Sequence, residues 1–256
     1  MEFLAHLTID KSFAAGTVTA YKCALTLPLR LAGIELNVWQ SKDLIRAAFL
    51  RNHRTVKRIP SWSLDKVLTL LKTPKFENSP EPFDLLRKTL FLIALASGNR
   101  ASELANLDPT SMRTTESSIT IAVRPGFLFK NQRQGRNPPN IIIRKFQEDE
   151  KICPVTWLKK YQRLTNNKVK LFTNTRTKRP LTAGSIASCL CSLIDEADPG
   201  KFPRGHDLRK FSTSLAWVRG VPTEEICKAA FWRSSTTFVR TYLMPEIEDV
   251  PCTALR

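Results

Sequence analysis

The run Pro82–Ser97 constrains this chain more than any other. From Thr89 to Ala96 it is almost continuously apolar. A helix that is apolar on every side has to be surrounded by protein, and this one is well short of the roughly 20 residues that a membrane span needs. Gly98 follows as a helix stop. The expectation is a core helix with other layers packed around it. A chain of 256 residues is long enough for a substantial core in one large domain or two.

Two helical patterns open the chain. Thr17 can cap a helix with Val18, Tyr21 and Leu25 on one face, and Ser41 can cap a second with Leu44, Ile45 and Phe49 turned inward. The basic stretch Arg51–Pro60 has poor periodicity and reads as a linker, with structure restarting at Ser63. The domains predicted are therefore residues 1–59 and 60–256. In the second, helices are expected over Ser63–Leu71, Pro82–Ser97, Pro154–Arg163, Thr182–Ala197, Asp207–Val218, Glu224–Ala230 and Thr236–Leu243. The short β-branched or apolar runs Ser118–Val123, Phe127–Phe129 and Ile141–Ile143 predict a small antiparallel sheet. The fold class is mainly α with that sheet, an α+β chain.

Charge narrows the partner. The chain carries 40 Lys+Arg against 23 Asp+Glu, a net charge of +17, which calls for a polyanion, nucleic acid being the commonest. The six cysteines include no C-x-x-C pair and there are only three histidines, so a structural zinc site is not expected. Without a secretory signal at Met1–Asp10 the cysteines read as reduced and the protein as intracellular. No metal, cofactor or membrane is predicted.

Several polar residues fit one reaction in their order along the chain. A phosphodiester attacked by a hydroxyl gains negative charge on its non-bridging oxygens, and guanidinium groups match that geometry at any relevant pH. Arg100, just past the core helix, and Arg209 are the candidates, with Glu103 placed to orient Arg100 or its neighbours. His206 and Arg209 are three apart at the start of a helical pattern and so share a face; His206 can act as an acid or base, or bond the phosphate. Lys130 can protonate a departing 5′ oxygen or serve as one more phosphate contact beside Arg133 and Arg136. Trp232 has one N–H to donate. Tyr242 follows this electrophilic cluster, as neither Tyr21 nor Tyr161 does, and is the candidate nucleophile. Arg54, Lys57, Arg58, Arg133, Arg136 and Lys210 are the expected DNA-backbone contacts.

The order and spacing of Ser97–Leu107, Pro125–Lys130, Gly205–Ser212 and Ala229–Leu243 resemble the tyrosine recombinase (phage integrase) superfamily. The wording is most similar to recombinases of DIRS-type retrotransposons. The resemblance implies a helical core-binding domain and a catalytic domain that form a C-shaped clamp on double-stranded DNA. It implies strand cleavage through a 3′-phosphotyrosine and religation to a new partner in a synaptic tetramer, without metal or ATP. In that family a histidine or tryptophan at the place of Trp232 bonds the phosphate. For a eukaryotic host the resemblance implies the nucleus.

Three departures accompany it. The first domain is short, as if its opening helix were missing from a truncated copy. Tyr242 follows Trp232 by one residue more than in the best-known members. Only Leu243–Arg256 follow the tyrosine, so the exchanged C-terminal helix is expected to be reduced or absent. Two rival readings stay open: a relic that binds DNA without recombining it, and a type IB topoisomerase.

Overall fold

The computed structural model describes residues 1–52, 59–130, 132, 135, 137–253 and 255. The chain divides into two compact units, Met1–Lys57 and Arg58–Arg256.

Among its described residues the first unit has three helices, α1 Glu2–Ile9, α2 Ala15–Leu31 and α3 Val38–Arg51. Leu4, Leu7, Val18 and Ala48 form its small core, with Leu44 and Ile45 packed against it. Helix α1 is absent from the sequence expectation; it is short, and only Leu4, Leu7 and Thr8 turn inward. Thr17 lies inside α2, which starts at Ala15 behind an Ala14 cap. Asn37 caps α3 by accepting the Gln40 N–H at 3.0 Å, while the Ser41 hydroxyl turns back to the Val38 carbonyl at 2.9 Å. A capping side chain must sit just before the first helical residue, and both expected caps lie a turn too late. Ala48 takes the inward position, leaving Phe49 51% exposed.

In the second unit α4 Leu64–Leu71 and α5 Pro74–Glu77 precede α6 Pro82–Ser97, which is buried from Asp84 to Ser97. The layers that this helix demands are α8 Pro154–Thr165, α9 Ala183–Ala197 and α10 Asp207–Val218, all packed on α6. Helix α7 Ala101–Leu104 follows α6 directly, and α11 Thr223–Ala229 and α12 Ser235–Thr237 close the unit. Thr182 caps α9, accepting the Ser185 N–H at 3.1 Å. The sheet has three antiparallel strands in the order β1 Arg113–Thr114, β2 Ser118–Ile121 and β3 Ile141–Arg144. Ile119 faces Ile143 and Ile121 faces Ile141 in register, and these four isoleucines point into the core.

Phe127–Phe129 is not a strand. The Phe129 N–H bonds the Gln132 side chain at 3.1 Å and the Phe129 carbonyl accepts the Gln132 N–H at 2.9 Å. Backbone groups committed to a turn are lost to a ladder. Among the described residues no helix is long and apolar enough to cross a membrane.

Candidate active site

The site starts where α6 stops. Gly98 is left-handed at φ +61°, and a Cβ there would come within 3.1 Å of the Ser212 Oγ on α10. The glycine therefore supplies both the turn and the close approach of the two helices. Arg100 follows as the residue that opens α7, with Glu103 at the third helical position. The Glu103 carboxylate accepts the Arg100 backbone N–H at 2.8 Å and its Nη1 at 2.5 Å. It also accepts Arg209 Nη1 at 3.4 Å. One buried carboxylate thus holds two guanidinium groups.

Arg209 is 1% exposed. Its Nη1 donates to the Gly98 carbonyl at 2.7 Å and its Nη2 to the Ala230 carbonyl. Its Nε is buried with no hydrogen-bond partner among the described residues. The guanidinium carbon lies 4.8 Å from the centre of the Trp232 ring and 5.7 Å from that of Tyr242. Burial pushes the Arg209 pKa down to about 10, against the opposing pull of Glu103, so the group keeps its charge at neutral pH.

His206 stands at the N-terminus of α10, partly open to solvent. The loop that presents it is pinned by Asp207, which accepts Trp62 Nε1 at 3.1 Å and the Arg204 N–H at 2.9 Å. Partial burial, then the positive charges of Arg100, Arg209 and Lys130, lower the His206 pKa, with Asp207 opposing them. A group that starts near 6.5 and is pushed down is neutral at pH 7. Lys130 and the two arginines thus act on one imidazole.

An aromatic pair ties Lys130 to Trp232. Phe231 ends α11 with φ +52°, in a position where glycine is usual. Its N–H bonds the Lys228 carbonyl at 3.1 Å, and the Trp232 N–H bonds that of Cys227 at 2.8 Å. The strained Phe231 packs its ring edge-to-face on Phe129 at 5.3 Å. Buried Phe129 and exposed Lys130 are consecutive, so this contact sets where the lysine emerges.

Tyr242 ends a five-residue π-helical turn, Phe238–Tyr242, closed by the Leu243 N–H on the Phe238 carbonyl at 2.9 Å. A π turn holds one residue more than an α turn, and so takes up the longer interval from Trp232. The Tyr242 and Trp232 rings lie 4.5 Å apart.

The structure therefore gathers Arg100, Glu103, Lys130, His206, Arg209, Trp232 and Tyr242. Lys210 is half-buried, near Asp207 and Arg204. Arg54, Lys57, Arg58, Arg133 and Arg136 lie outside the described residues. Ser214 escaped the sequence reading although it touches the tyrosine's backbone. Its place five residues after Arg209 on one helix was the available signal.

Solved recombinases share this fold. The crystal structure of XerA recombinase matches with a TM-score of 0.53 at 18% identity, over 96% of this chain and 77% of that one. A lambda integrase (75–356) dimer bound to a COC′ core site matches at 0.58 and 16% identity, over 96% and 81%. The Tn1549 transposon integrase (82–397) in complex with circular intermediate DNA matches at 0.58 and 13%, over 96% and 80%. No curated protein matches the chain in sequence. The sequence profile of the phage integrase family spans residues 63–247, most of the chain and all of the gathered side chains, and on that ground this protein belongs to the phage integrase family.

Proposed function

We propose that this protein is a site-specific DNA recombinase or integrase that cuts and rejoins strands through a 3′-phosphotyrosine on Tyr242. The observation that carries the reading is the stack of Arg209 beneath Trp232 and Tyr242, joined to Arg100 through Glu103. An unpaired buried donor such as Arg209 Nε costs about 1–3 kcal/mol, which a phosphate oxygen admitted beside Trp232 and Tyr242 would offset. The Tyr242 oxygen attacks phosphorus, the bond to the 5′ oxygen breaks, and that oxygen leaves as a hydroxyl. Lys130 supplies its proton and neutral His206 accepts the tyrosine's. Arg100, Arg209 and Trp232 stabilise the charge that develops on the phosphate. Attack by another strand's 5′ hydroxyl reverses these steps. The bond energy stays in the phosphotyrosine and side chains meet the charge, so neither metal nor ATP is required.

Double-stranded DNA is the proposed substrate, bound by the catalytic unit and by a core-binding first unit, with four subunits in the synapse. The net charge of +17 supports the partner, as do the two similar structures that hold DNA. We assign the chain to mobile elements, in the DIRS-type retrotransposon branch, on the wording around Arg100 and the interval from Trp232 to Tyr242. In a eukaryotic host it would work in the nucleus.

Covalent trapping tests the reading. Duplexes selected for binding are rebuilt with a nick near the bound site, so that the cleaved fragment diffuses away. A protein–DNA adduct is expected to form in the presence of a chelator and to disappear in Tyr242→Phe. Tight binding without an adduct would identify a DNA-binding relic instead, and relaxation of plasmids without site preference a topoisomerase.

A further inference from the structure

Helix α10 carries Arg209, and it also holds both ends of the chain that leaves Tyr242. Ser214 is fully buried. Its hydroxyl donates to the Tyr242 carbonyl at 3.1 Å and accepts the Met244 N–H at 2.9 Å. The chain turns extended at Leu243, so these two groups have no place in a helical ladder, and a single hydroxyl satisfies both. At the end of the same helix, Arg219 donates to the carbonyls of Cys252 and Val250, each at 2.7 Å, and through Nε to Asp249 at 2.9 Å. The stretch Tyr242–Cys252 is thereby fastened at its start and its finish to one element.

Ser214 lies five helical positions after Arg209, a rise of about 7.5 Å. The ring of Tyr242 nonetheless lies over the Arg209 guanidinium, because the π turn folds back from the point that Ser214 holds. We propose that Ser214 is a positioning residue for strand transfer: it pins the backbone on both sides of Leu243 and so presents Tyr242 to the arginines of its own subunit. This inference rests on the reading of Tyr242 as the nucleophile. Ser214 acts on backbone, through the Tyr242 carbonyl and the Met244 N–H, and so sets where the tyrosine ring stands.

A role in positioning the nucleophile differs in one measurable way from general support of the fold. In a Tyr242→Phe background hydrogen peroxide can replace the tyrosine, its anion attacking phosphorus while the 5′ oxygen leaves protonated. That reaction needs the arginines but not the placement of residue 242. Ser214→Ala is expected to slow single-turnover adduct formation roughly 10- to 100-fold, to leave duplex affinity unchanged, and to leave peroxide-driven cleavage in the Tyr242→Phe background unchanged. Ser214→Thr, which keeps the hydroxyl, is expected to recover the adduct rate, and it serves as the second variant if the alanine protein does not fold. An unaltered adduct rate in Ser214→Ala would overturn the inference. So would a parallel fall in tyrosine- and peroxide-driven cleavage, or a threonine variant as slow as the alanine one. If the unchanged protein forms no adduct and peroxide yields no cleavage, the proposed function itself fails and the inference with it.

Discussion

His206 has a pKa below its ordinary value because of partial burial and the charges of Arg100, Arg209 and Lys130. A phosphate placed among them favours the imidazolium, so binding of duplex should raise that pKa. The chain has three histidines, and the ring signals of labelled Tyr242→Phe protein can be followed against pH with and without DNA. A His206 titration that does not move upward would remove the phosphate from this site. At this scale the sequence was most legible where a residue type carries chemistry of its own, as with Arg100, Glu103, His206 and Arg209. It was silent where a residue acts through packing or a backbone bond. Phe129, Phe231 and Ser214 have ordinary identities, and their importance comes from partners roughly 30 to 100 positions away. The burial of Arg209 was equally invisible, since a guanidinium in so basic a chain reads as surface.

Among the elements, the junction of α6 with α10 fixes the site. Gly98→Ala would put a methyl in a left-handed residue and 3.1 Å from the Ser212 Oγ. We expect a loss of about 1–3 kcal/mol, read as a lower urea midpoint with unchanged slope. Stability equal to the unchanged protein would show that the two helices part freely there. The long helices were legible because burial on one side leaves a period in the sequence, and α6, α9 and α10 end where caps or glycine end them. The elements missed are short or locally satisfied. Helix α1 has only two inward leucines. The Phe127–Phe129 segment has the composition of a strand, but its backbone bonds to Gln132 instead.

Across the whole molecule, buried titrating groups give stability a pH dependence separate from the site. Lys88 is fully buried on α6 and donates to the carbonyls of Leu71 at 2.7 Å and Phe76 at 3.2 Å. Burial lowers its pKa to about 7. Between there and its ordinary value near 10.5 the unfolded chain binds more protons than the folded one, so stability rises with pH in that window. Cys252 acts in the opposite sense: burial raises its pKa to about 11, so the stability it contributes is full below pH 9 and is lost as pH rises from there through about 11. The melting temperature is therefore expected to climb from pH 7 to about pH 8.5, and Lys88→Met to flatten the climb. A flat or falling profile in the unchanged protein would mean that Lys88 keeps its proton in the folded state.

The π turn at Phe238–Tyr242 has a consequence for how such chains are compared. Val239, Arg240 and Thr241 face outward there, and the interval they fill can be one residue longer without moving the tyrosine ring from Trp232 and Arg209. Chain length between Trp232 and the candidate nucleophile is then a poor guide to competence. An ungapped comparison with a chain one residue shorter here would set Thr241 in the place of Tyr242, and count as lost a tyrosine that the fold keeps beside Trp232.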